Sequence, residues 1–133
     1  MQCKLAVNLN TDLPYWIEVS SFINNFDQAD FRIREVQNIT DAYLKSWFYD
    51  NSNGECHFLI PPVSVRSGVT QFISGRHRTA LLMKHLKRLP LSFDSRFLSE
   101  SDEKWIDSVA SGQIDLKNDV IELPDLPIKE VLP

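Results

Sequence analysis

The sequence predicts a compact α+β domain, a small mixed sheet with flanking helices. Three observations predict it. Short runs of alternating or β-branched residues recur along the chain, at Leu5, Val7 and Leu9 and again from Tyr15 to Val19. Two later stretches, Arg76 to Lys87 and Ser99 to Val109, carry apolar residues at helical spacing. Proline and glycine separate these segments, so strands and helices are interleaved rather than grouped.

Leu5, Val7 and Leu9 alternate with polar residues, the signal of a half-buried strand, and Asn10-Thr11-Asp12 with Pro14 breaks it. Tyr15-Trp16-Ile17-Glu18-Val19 is rich in aromatic and β-branched residues and reads as a second strand. Ser20 or Ser21 is placed to cap a short helical turn reaching Phe26. Residues 27–38 are ambiguous, because Phe31, Ile33 and Val36 fit neither period. Thr40-Asp41 has the form of a helix start, after which Tyr43, Leu44, Trp47 and Phe48 would share one face until Asn51-Ser52-Asn53-Gly54. Phe58-Leu59-Ile60 is a strand running into Pro61-Pro62, which cannot donate to a ladder. Val63 and Val65 resume it, Ser67-Gly68 turns, and Val69 to Ile73 returns as the hairpin partner.

From Arg76 to Lys87 the pattern is helical, with Thr79, Leu82, Met83 and Leu86 on one face. Lys84, Lys87 and Arg88 lie at its C-terminal end, where the macrodipole favours cations. Pro90 is expected to stop that helix, and Leu91 to Leu98 to form another strand. Ser99 and Asp102 open the last helix as a capping pair, with Trp105, Ile106 and Val109 facing inward and Gly112 ending it. The expected boundaries are a domain at 1–112 and an acidic extension at 113–133 containing Pro124, Pro127 and Pro133, extended or partly disordered.

At 133 residues with 43% apolar and 24% charged content, the chain is large enough for one real core. No apolar run approaches the ~20 residues that span a bilayer, so no membrane partner is expected. Met1 to Val7 lacks the apolar centre of a secretory leader, and a reducing cytoplasm is the expected location. Cys3 and Cys56 have no metal-ligand spacing, and a single disulfide between them stays open. The net charge of −4 argues against a broad nucleic-acid surface, but it hides a division. Residues 63–96 hold seven cations against Asp94, whereas residues 100–130 hold nine acids against three lysines.

The run Ser74-Gly75-Arg76-His77-Arg78-Thr79 is the most informative stretch. It places two arginines and a histidine in the first turn of a helix, where the dipole disfavours cations by about 0.3–1 kcal/mol. An anion received there removes that penalty, and Gly75 allows a tight turn and a close approach. The alternative is an ion pair with the chain's own carboxylates, such as those of the acidic helix at 100–107, because guanidinium forks accept carboxylates as readily as phosphates.

Pro61-Pro62-Val63-Ser64-Val65, the hairpin, Ile73-Ser74-Gly75-Arg76-His77-Arg78 and Leu89-Pro90-Leu91 come in an order that resembles the ParB N-terminal/sulfiredoxin superfamily. That superfamily follows a Pro-Pro strand and a return strand with a Gly-x-His-Arg helix start. The resemblance covers roughly residues 41–98 and implies a ParB/sulfiredoxin-like fold with a nucleotide phosphate at the helix start. It implies Gly75 as the close-approach glycine, His77 and Arg78 as phosphate-contacting side chains, and Thr79 as a further donor; Arg76 joins them as a candidate through its place in the first turn. The ligands it implies are ATP or CTP with Mg²⁺, and the reaction class is phosphoryl transfer or phosphodiester hydrolysis, nuclease activity included. Lys45 and Ser46 match nucleotide contacts by position only. The chain departs from the sulfiredoxins, with Arg76 where they carry a cysteine, and from the kinase branch, with Ser74 where it carries an acid. No helix-turn-helix domain is recognisable. Glu18, Asp41, Glu55 and Asp94 are available acids, none in an identifying motif. The competing reading is a non-catalytic protein that keeps the fold and engages a protein or DNA partner.

Overall fold

The computed structural model describes residues 1–32, 36, 38–50 and 53–131. It is a mixed α+β fold of small sheets with four α-helices among the described residues. Strand β1 (Gln2–Ala6) lies at the centre of a four-stranded sheet. It runs parallel to β5 (Cys56–Leu59) on one side and antiparallel to β10 (Val120–Glu122) on the other, and β4 (Phe48–Asp50) closes the β5 edge. A second sheet is built on β2 (Asp12–Glu18), which pairs antiparallel with β8 (Arg88–Asp94) over seven residues, Asp12 opposite Asp94 through Glu18 opposite Arg88. Strand β9 (Gly112–Gln113) covers its other edge at Tyr15 and Trp16. Strands β6 (Val63–Arg66) and β7 (Val69–Phe72) form the expected hairpin. Its turn residues Ser67 and Gly68 both take positive φ, 52° and 78°, the left-handed pair that matches strand twist in a two-residue turn.

The helices are α1 (Val19–Asn25), α2 (Gln28–Phe31), α3 (Arg76–His85) and α4 (Glu100–Val109). The last two match the sequence expectation. Helix α4 begins with the capping box of Ser99 and Asp102. The core between the layers is aromatic: Phe22 packs edge-on against Phe31 and Phe72, and Phe26 lies against Phe93 and Trp105.

Three expectations are corrected. The segment at 43–48 is not a helix. Tyr43–Leu44 is a short strand, β3, then comes a 3-10 turn at Lys45–Trp47, then β4. Tyr, Trp and Phe are weak helix formers, and strand pairing with β5 and with β11 (Ile128–Lys129) overrides the apolar spacing. Helix α3 ends at His85, and Pro90 sits inside β8 opposite Trp16. This costs no ladder bond, because the Ser92 amide points away from β2 to the Pro61 carbonyl, and Pro90 shares that outward phase. β8 ends at Asp94, whose carboxylate caps a 3-10 turn at Ser95–Phe97 in place of the expected strand end. Finally, the acidic segment from 113 is woven into the body. Strands β10 and β11 belong to it, and Ile114, Ile121 and Leu123 are buried. Of the residues expected to be ambiguous or turn-forming, Ile33, Asn51, Ser52 and Pro133 lie outside the described residues.

Candidate anion site at the start of helix α3

Hairpin strand β7 delivers the chain to α3 through Ile73 and Ser74, with the Ile73 amide donating to the Pro62 carbonyl. Gly75 is the N-cap residue, at φ 90° and ψ 20°, and no side chain caps the first turn. The left-handed conformation requires glycine. So does the space: a Cβ at this position would lie 2.7 Å from Arg78 Nη2 and 2.7 Å from Pro61 Cβ. The opening beside Gly75 is thus taken up by the guanidinium of Arg78, folded back beneath the turn.

The cations of the motif are treated very differently. Arg76 is committed to the chain itself. Its Nε donates to the Asp30 carbonyl at 2.8 Å, and its Nη2 donates to Asp30 Oδ1 at 3.0 Å. Asp30 also accepts the Phe72 amide at 2.7 Å, so one carboxylate ties α2 to β7 and α3. The own-carboxylate alternative therefore describes Arg76, with a partner outside the acidic helix. His77 points to solvent. Arg78 is 6% exposed, its Nε is enclosed without a hydrogen-bond partner, and desolvation alone lowers its pKa to about 10. The group stays cationic at neutral pH, buried, with no counter-charge among the described residues.

Two further buried hydroxyls lack partners among the described residues, Thr79 Oγ1 and Ser92 Oγ. Thr79 follows Arg78 on the helix. Ser92 reaches the neighbourhood through Pro61, whose carbonyl accepts its amide and whose ring flanks Gly75. Sequence reasoning named Thr79 but not Ser92 or Asp30. The available signal for Ser92 was a small polar residue inside the apolar run Leu89-Pro90-Leu91-Ser92-Phe93.

Other candidates lie elsewhere. Lys45 contacts Glu130 at 3.4 Å, and Ser46 is exposed beside it. Lys84 and His85 share Asp41, and Arg88 stacks over Trp16 at 4.0 Å. A cavity of about 420 Å³ borders that stack, and one of about 220 Å³ lies between β6 and Phe97; residues 75–79 line neither. Among the described residues, no group of three His, Cys, Asp or Glu side chains converges as metal ligands would. Among the described residues, no helix is long and apolar enough to cross a membrane. Comparison with family models, with curated proteins and with solved structures finds no match to this chain.

Proposed function

We propose that this chain binds an anion, the phosphate of a nucleotide or another phosphate compound, at the Gly75–Thr79 turn, with Arg78 as the cationic anchor. One observation carries the reading: Arg78 is a buried guanidinium with no counter-ion among the described residues. An unpaired buried charge costs several kcal/mol of stability, and a bound anion offsets that cost. The uncapped first turn adds the positive end of the α3 dipole, and the Thr79 hydroxyl is a spare donor. Arg76, held by Asp30, positions the turn rather than contacting the ligand. His77 sits at the rim.

The turn suits the phosphate of ATP or CTP by the chemistry of its donors. Its own residues include no carboxylate for Mg²⁺, and the neighbouring Asp30 is engaged by Arg76 and the Phe72 amide, so the proposal is one of binding and assigns no phosphoryl transfer or phosphodiester hydrolysis. The ParB/sulfiredoxin-like type of fold and a cytoplasmic location belong to the same proposal. The fold type rests on the Pro-Pro strand, hairpin and Gly-x-His-Arg order, and the location on two cysteines without metal-ligand or disulfide-scaffold spacing. Calorimetric titration with ATP, CTP and GTP, with and without Mg²⁺, tests it. Heat of binding that Arg78→Met reduces about tenfold to a hundredfold in affinity is expected, the worth of charge-assisted hydrogen bonds. Folded protein that binds none of the three, nor inorganic phosphate, overturns it.

A second reading has its own observation. Val69, Ile73 and Phe97 are large apolar residues more than 60% or 60% exposed around the hairpin, as in a surface that meets a protein partner. Under that reading Arg78→Met leaves no ligand-dependent difference to measure.

A further inference from the structure

One step back along the parallel register that sets Lys4 opposite His57, Cys3 lies directly opposite Cys56. Their sulfurs are 3.4 Å apart, with the Cys3 thiol donating toward Cys56 Sγ. Both are free thiols, Cys3 buried and Cys56 half-buried. Adjacent strands are about 4.8 Å apart, inside the Cα separation of about 4.4–6.8 Å that a disulfide spans. The sulfurs need close only from 3.4 Å to about 2.0 Å, by side-chain rotation.

We propose that Cys3 and Cys56 form a reversible disulfide, in which a hydroperoxide first oxidises Cys56 and Cys3 then resolves it. The division of labour follows from access. A small oxidant reaches the half-buried Cys56, whereas Cys3 is 2% exposed. Burial, with Cys56 beside it, also pushes the Cys3 thiol up to about 12, so free oxidant finds little thiolate there. In the first step, Cys56 sulfur attacks the peroxide, the O–O bond breaks, and a sulfenic acid and an alcohol or water result. In the second, Cys3 sulfur attacks Cys56 sulfur. The S–S bond forms, the S–O bond breaks, and the oxygen leaves with the Cys3 proton as water. A dithiol reductant reverses the product. The cross-link staples the first strand to β5, across a separation of 53 residues.

The test treats the full chain with one equivalent of hydrogen peroxide and maps peptides without reduction. Expected is a monomer that has lost two hydrogens, a Cys3–Cys56 linked peptide pair, full reversal by dithiothreitol, and a thermal midpoint raised by about 5 °C. Cys3→Ser should let dimedone trap sulfenic acid at Cys56 that wild type resolves. Oxidation of Cys56 to sulfinate while Cys3 stays alkylatable, an intermolecular disulfide, or two unreacted thiols each overturn the proposal. So does Cys3→Ser that folds and yields no dimedone adduct. Should Cys3→Ser fail to fold, the wild-type peptide map decides alone.

Discussion

Arg78 sets the problem at the scale of single residues. Its neighbour on the motif, Arg76, has the same chemistry and the same sequence signal, yet Asp30 satisfies it and nothing among the described residues satisfies Arg78. The difference arises from helix geometry. Arg76, beside the last strand residues, faces α2, and Arg78 folds under its own turn toward Pro61. Because a buried charge costs more than an apolar side chain of similar shape, Arg78→Met should leave stability in anion-free buffer unchanged or higher, read by denaturant unfolding. A loss of several kcal/mol would mean the guanidinium is structural. Gly75 is the complementary case. Gly75→Ala forces a Cβ at φ 90° against Arg78 and Pro61, and should cost about 1–3 kcal/mol in the same assay, with altered anion binding.

At the scale of elements, carboxylates do the joining. Asp102 is buried in the first turn of α4, completes the capping box with Ser99, and accepts the Ser67 amide of the hairpin turn at 3.0 Å. Asp102→Ala removes a cap and strands a turn amide, so a destabilisation of about 1–3 kcal/mol is expected in chemical unfolding. Asp94 closes the β8 end by accepting from Arg96 through both oxygens, at 2.7–3.2 Å, and Arg96 holds its carboxyl down at about 2. A depressed carboxyl contributes stability above its ordinary value of 3.8 and loses it as the pH falls toward about 2. Asp94→Asn should therefore flatten the acid limb of thermal midpoint against pH in that window. Asp12, opposite it on β2, is raised by burial, so its own contribution runs the other way and does not mimic the effect.

The hairpin, α3 and α4 were legible because their signals are local: a Ser-Gly turn, a helical apolar face, a capping pair. The segment at 43–48 was not legible. Its apolar residues suit either period, and the decision is made by pairing, of β4 with the next strand β5 and of β3 with β11, which is distant in sequence. The candidate site was legible in part for the same reason. The glycine-cation turn is a local signal, whereas Asp30 on α2 enters it through tertiary contacts and Ser92 on β8 is linked to it only by way of Pro61.

Across the whole molecule, the division of charge along the chain does not correspond to a body and an appendage. The acidic C-terminal segment supplies a strand to each of the sheets built on β1 and β3, and buries Ile114, Ile121 and Leu123. Each such side chain is worth about 1.5–3 kcal/mol of burial, together a large fraction of a domain's net stability. Truncation after residue 113 should therefore abolish cooperative unfolding by circular dichroism. Retention of the wild-type transition would show the segment to be dispensable.

The reading of the whole chain as an anion-binding protein rests on a guanidinium held out of water with no partner of opposite charge among the described residues. The most direct measurement is the thermal midpoint of wild type and Arg78→Met against rising concentrations of inorganic phosphate, ATP and CTP at constant ionic strength. The expected result is a wild-type midpoint that climbs with at least one of these ligands, by about 2.7 kcal/mol of stabilisation at a hundred times the dissociation constant, and a flat response from the variant. Identical responses from the two proteins would contradict it.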